Sequence, residues 1–253
     1  NLTSPAGISA DRQRRTLDAV RDLNLQRLVA TGDDEINTRI SAYEMAYRMQ
    51  SSAPELIDIS GESKATLDLY GVDPAKPSFA RNCLLARRLI ERGTRFVQVW
   101  SGPQGAVNNW DNHGNIPKEL PPMAVSVDQP IATLLRDLKS RGLLADTLVV
   151  WGGEFGRGVA GQGKWDSPEA GRDHHPRCFT VLMAGAGVNK GHTHGETDDY
   201  SYNITRDPVH VHDLNATIMH LMGIEHTRLT YRYQGRDFRL TDIHGEVVKP
   251  LLG

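Results

Sequence analysis

Three short clusters in this chain combine residue types that bind metal ions and anions. They are Trp110-Asp111-Asn112-His113-Gly114, Gly152-Gly153-Glu154-Phe155-Gly156-Arg157 and Gly171-Arg172-Asp173-His174-His175-Pro176. Aspartate, glutamate and histidine supply oxygen and imidazole donors, a set suited to zinc, manganese or a harder divalent ion. Asp111 and His113 stand two apart, so an extended backbone turns both side chains to one side. Glu154 and His174 complete the candidate ligand set. Arg157 offers a planar fork for an anionic oxygen, and Asp173 an acceptor that would orient a ligating imidazole. Each cluster also has a purely structural reading: a turn at Asp111, an internal Glu154–Arg157 ion pair, and a hydrogen-bond knot around Asp173.

The elements that must position these clusters follow from periodicity and punctuation. Residues 10–30 place Leu17, Val20, Leu23, Leu25 and Leu28 on one broad helical face, and Ile36, Ile40, Tyr43 and Tyr47 continue at helical spacing after Gly32. A third helix is expected over 78–92, closed by Gly93. This helical segment, 1–92, packs on or is inserted into an α/β part spanning 93–253. There Thr94–Trp100 reads as a strand, residues 123–141 as an amphipathic helix and Thr147–Trp151 as a second strand. That order is a βαβ unit with parallel strands. Residues 154–177 read as a long Gly-rich loop. The next apolar run, 178–184, follows without a crossover helix and suits an antiparallel partner. The expected fold is therefore α/β, with a mixed, mostly parallel sheet covered by helices and the three clusters gathered at one sheet edge. A last amphipathic helix covers 213–222.

Composition narrows the partners. The formal net charge is −2, with signs mixed along the chain, so no basic face is available to nucleic acid. No apolar run is long enough to span a bilayer. The chain begins at Asn1, which reads as a processed or cut start. Cys83 and Cys178 read as separate buried thiols. Gly158 to Lys164 nearly spells a phosphate-binding loop, but Trp165 follows where Ser or Thr is required. His210-Val211-His212-Asp213 looks metal-like, yet it opens a helix, where His212 or Asp213 reads as the cap. His192 and His194 share one side of a short edge segment.

The Trp-Asp-x-His cluster, the run Thr147–Arg157, Gly171-Arg172-Asp173-His174 and the closing Tyr233–Asp242 stretch resemble an uncharacterised, usually exported bacterial family. That family is placed in the alkaline-phosphatase/sulfatase-like superfamily. The resemblance extends over the whole chain, Ala42–Met49 included. It implies an alkaline-phosphatase-like fold and metal-assisted hydrolysis of phosphate or sulfate esters, with zinc as the first candidate ion and calcium, magnesium or manganese as others. It assigns Asp111 and His113 to the first ligand group, Glu154 to the second and His174 to the last, with Phe155 where the superfamily usually has histidine. It also implies a preceding half that carries the nucleophile, so this chain would be an incomplete, C-terminal part of a periplasmic or extracellular hydrolase of anionic esters. The alternative is a non-catalytic binding or cell-envelope protein. The sequence assigns no nucleophile and no oligomeric state.

Overall fold

The computed structural model describes residues 7–102, 110–163 and 166–253. Helix α1 (Ala10–Thr31) starts at Ser9, whose hydroxyl accepts from the Arg12 amide, and ends at Gly32 in the left-handed region (φ 67). Helix α2 (Glu35–Ile57) returns alongside it. Arg14 joins the pair, reaching Asp18 at 2.7 Å and Glu44 at 2.6 Å while covering the Tyr47 ring. No residue of α1 is buried, so much of its apolar face stays in solvent: Leu23, Leu25 and Val29 are all exposed.

The core lies further along. Helices α3 (Lys64–Tyr70), α4 (Phe79–Glu91) and α5 (Ile116–Ser140) pack on one another. Between them sit Ile59, Tyr70, Val72, Ala80, Cys83 and Leu84, flanked by Leu134 and Val99. Both cysteines are free and buried, and burial pushes the Cys83 thiol up to about 12. Beside this apolar cluster runs a charged one. Arg87, 3% exposed, reaches Glu62 and Glu91 at 2.7 Å each, and its Nε lies 3.2 Å from Asp137 without hydrogen-bond alignment. Arg88 joins Glu62, Arg141 joins Glu91 and Asp137, and the Tyr70 hydroxyl donates to Asp137. Residues before α3, in α4 and in α5 are thereby tied by a single network.

The parallel sheet expected from the sequence does not form. Thr94–Trp100 forms no strand and pairs with none among the described residues, and Phe96 and Trp100 face solvent. Its Val99 packs on the helical core. Helix α5 begins at Ile116, earlier than expected, and lies on α3 and α4 rather than crossing between parallel strands. Apolar alternation specifies an extended conformation and one buried face, but not a partner strand. The described strands form four separate antiparallel pairs, so the alkaline-phosphatase-like architecture is not supported.

Strand β1 (Val149–Gly152) pairs with β4 (Val181–Ala184), the antiparallel arrangement implied by the missing crossover helix. The segment read as a Gly-rich loop folds instead into a hairpin, β2 (Gly156–Gln162) with β3 (Gly171–His175). Strands β5 (Glu196–Thr197) and β6 (Ile204–Arg206) follow, then α6 (Val211–Leu221) and the hairpin β7 (Thr230–Tyr233)–β8 (Arg236–Arg239). Gln234 and Gly235 make the tight turn of that last hairpin, both at positive φ. His210 is the N-cap of α6, its Nδ1 accepting from the His212 amide, and the expected cap Asp213 completes a capping box with it, while His212 takes no such part. Asp213 accepts from the His210 amide and, through its other oxygen, from that of Glu246, which ties the C-terminal stretch to the helix.

The total accessible surface is 17624 Å², whereas a compact chain of this mass exposes about 11,000 Å². No residue of α1 and only Ile36 and Ala53 of α2 are buried, and every described sheet has two strands.

Candidate metal centre

The site is assembled on β3, which has neighbours on both edges. On one side β2 pairs with it in a register that sets Arg157 opposite His174 and Gln162 opposite Gly171. The register shifts between Arg157 and Gly161, and Arg172 holds that irregular stretch by donating to the Gly158 and Val159 carbonyls. On the other side runs the segment 112–116. The Arg172 amide donates to the Asn112 carbonyl at 3.0 Å, the Asn115 amide donates to the Glu169 carbonyl at 2.9 Å, and Gly114 bridges Ala170. Asn112 is buried and donates from its side chain to Glu119 in the first turn of α5.

This close packing depends on glycine at 171. A Cβ there would fall 1.9 Å from the carbonyl carbon of His113 and 2.3 Å from the Gly114 amide nitrogen. Only a residue without a side chain lets the two backbones approach this closely.

Strand alternation then separates the two histidines of β3. His175 is buried, stacks on Tyr202 and bonds to its carbonyl at 2.7 Å. His174 points to the opposite face, where Asp111 and His113 wait. Those two are drawn together by a tight turn in which the His113 amide donates to the Asp111 carbonyl. Trp110, just before, adopts a positive φ of 65 that a bulky residue seldom takes. The Trp110 indole N–H donates to Ser101, and the Trp110 carbonyl accepts from Arg157.

The outcome is a triad of donor atoms. Asp111 Oδ1 lies 2.9 Å from His174 Nε2 and 3.0 Å from His113 Nε2, and the two imidazole nitrogens are 3.1 Å apart. Among the described residues this is the one group of three or more His, Cys, Asp or Glu side chains with the geometry to hold a metal ion. His113 makes a short contact through Nδ1 to the Gln162 side-chain oxygen. An Nδ1–H donated there leaves Nε2 bare and facing the triad, the tautomer a metal ligand needs. Phe155 packs against the His174 ring at 4.3 Å.

The other sequence candidates fall as follows. Arg157 joins the site, donating from Nη2 to Asp111 Oδ1 at 2.8 Å. The Glu154–Arg157 pair does not form among the described contacts: Glu154 is exposed between β1 and β2 and lies outside the triad. Asp173 accepts from the backbone amide of His174 and not from its ring. Gln162, Gly171 and Asn112 went unrecognised in the sequence as parts of the site. Gly171 and Asn112 left a trace there, as members of the third and first clusters, whereas Gln162 left none. Of the rejected phosphate-binding loop, Gly158 to Gly163 belongs to β2 and its end, while Lys164 and Trp165 lie outside the described residues.

Electrostatics favour a permanently charged carboxylate. The His174 ring and the Arg157 guanidinium bonded to Asp111, with His113 nearby, hold its carboxyl down at about 2, against an ordinary 3.8. A depressed carboxyl stabilises the fold above its ordinary range and loses that contribution as pH falls toward the folded value. A carbon-detected NMR titration should therefore give Asp111 a midpoint near 2, and Arg157→Gln should raise it. An unshifted midpoint in the native chain would mean that these contacts do not persist in solution.

A family model described as a protein of unknown function (DUF1501) matches residues 1–252, and the chain belongs to that family. No curated protein and no solved structure matches it. Nothing found ties the chain to the alkaline-phosphatase/sulfatase superfamily, and the match runs along the chain as a whole. The reading of the chain as a C-terminal part of such a protein is corrected accordingly. None of the described helices is long and apolar enough to cross a membrane.

Proposed function

We propose that this member of the DUF1501 family binds one divalent transition ion on Asp111, His113 and His174 and uses it to hydrolyse an anionic ester of phosphate or sulfate. The observation that carries the reading is the convergence of two imidazole nitrogens and one ionised carboxylate, from separate segments, within 3.1 Å of one another. Two nitrogen donors favour zinc or manganese over calcium and magnesium, which prefer oxygen. When bound, such an ion supplies Lewis acidity toward an ester oxygen.

The chain's own residues supply binding. An open cleft of about 380 Å³ shares Arg157 with the triad and is also lined by Phe155, Phe179, Thr180, Thr197 and Ser201. The hydroxyls and the guanidinium are donors for the oxygens of a tetrahedral anion, and the two aromatic rings accept an apolar ester group. No described residue is assigned as the nucleophile. That gap, together with Glu154 lying away from the triad, favours a second reading, a cell-envelope protein that binds a metal or ligand without turnover.

Mass spectrometric metal analysis of the purified chain, beside an Asp111→Ala/His174→Ala double variant, tests the site. One ion per chain, absent from the variant, is the expected result, and hydrolysis of phosphate and sulfate monoesters by the loaded chain then separates the two readings. A chain that takes up no zinc or manganese when dialysed against either would sink the metal-dependent reading and leave only ligand binding without a metal.

A further inference from the structure

We infer that Arg157 sets the charge of the anion this site accepts, selecting two negative charges over one; this rests on the metal reading above. Asp111 Oδ1 is a shared partner. Arg157 Nη2 lies 2.8 Å from it, His174 Nε2 2.9 Å and His113 Nε2 3.0 Å. An ion taken up through Asp111 is therefore held beside the guanidinium, and one carboxylate serves two cations. Imidazoles that ligate a metal are neutral, so the formal charges that meet there are those of the divalent ion, the guanidinium and the carboxylate. Together they leave an excess of two positive charges. Among the described residues no second carboxylate joins the group to reduce it.

Arg157 also has the donors to touch the anion. Its Nη2 donates to Asp111 and to the Trp110 carbonyl, and its Nη1 reaches the Arg172 carbonyl at 3.3 Å. The guanidinium carries further N–H groups on Nε and Nη1. These remain for the cleft that Arg157 lines with Thr180, Thr197 and Ser201. An anion seated there faces the excess charge directly. A phosphate monoester carries close to two negative charges near neutral pH and matches it, whereas a sulfate ester carries one. Without the guanidinium the excess falls to one, and the preference for a doubly charged anion goes with it.

Inorganic sulfate and methyl sulfate are alike in shape and unlike in charge, and their effect on zinc affinity reads this selection without turnover. An anion that binds beside the ion tightens it by the factor by which the ion tightens the anion. With a competing chelating dye at constant ionic strength, sulfate should raise the zinc affinity of the native chain about tenfold and methyl sulfate about twofold. In Arg157→Gln, checked for native circular dichroism, the two anions should act alike, and zinc alone should bind more tightly because a neighbouring positive charge is gone. Arg157→Lys keeps the charge and should keep the preference for sulfate; its loss there would overturn selection by charge. Equal effects of the two anions on the native chain would do the same. A preference for sulfate undiminished in Arg157→Gln would overturn the role of Arg157 and leave the metal site standing. A native chain that takes up no zinc with either anion would overturn the metal reading, and this inference with it.

Discussion

Replacing Gly171 with alanine is expected to destabilise the chain by about 3 kcal/mol, the upper end of what forced overpacking costs, and to abolish metal uptake. The added methyl would need the space held by the His113 carbonyl, and backbone has no rotamer with which to step aside. The 112–116 segment and β3 must then draw apart. That movement breaks the triad, because Asp111 and His113 ride with the first and His174 with the second. Urea denaturation and metal analysis on the same preparation measure the two effects. A variant of native stability and full metal content would mean that 112–116 does not lie against β3 in solution.

The second large effect lies in the helical core. Arg87→Met should cost about 3–5 kcal/mol, since removing one partner of a buried ion pair leaves the others desolvated and uncompensated. Glu62 and Asp137 are both nearly enclosed and would keep only Arg88 and Arg141 as counter-charges. The methionine fills much of the same volume, so the loss reports charge rather than a cavity. Denaturant midpoints with an unchanged slope would give the number directly. A loss below about 1 kcal/mol would show that water reaches the network and screens it.

What the sequence made legible is local. Gly32 and Ser78 mark helix ends because a left-handed turn and a hydroxyl cap are decided by a single residue. Asp111, His113, Arg157 and His174 stood out as chemistry-bearing types, and all four meet in the structure. Pairing was not legible. Thr94–Trp100 carries strand composition yet finds no partner, whereas Gly156–Gln162, composed like a loop, pairs with β3 through a bulge. Propensity describes a residue's own backbone, and a ladder depends on what lies across from it. Gln162 illustrates the same limit at the site: nothing in its neighbours announces an imidazole partner 49 residues earlier.

The two-stranded character of every described sheet has a consequence for handling the protein. In a sheet of two, each strand has a second edge; that of β3 is met by the 112–116 segment, whereas no second backbone partner meets Val149–Trp151 among the described residues, and Val150 and Trp151 there are exposed. Such an edge is a template on which other extended chains can register, including copies of itself. Solubility should accordingly fall steeply with concentration, and a lysine at position 150, which sets a charge on that edge, should raise the concentration at which the chain begins to precipitate.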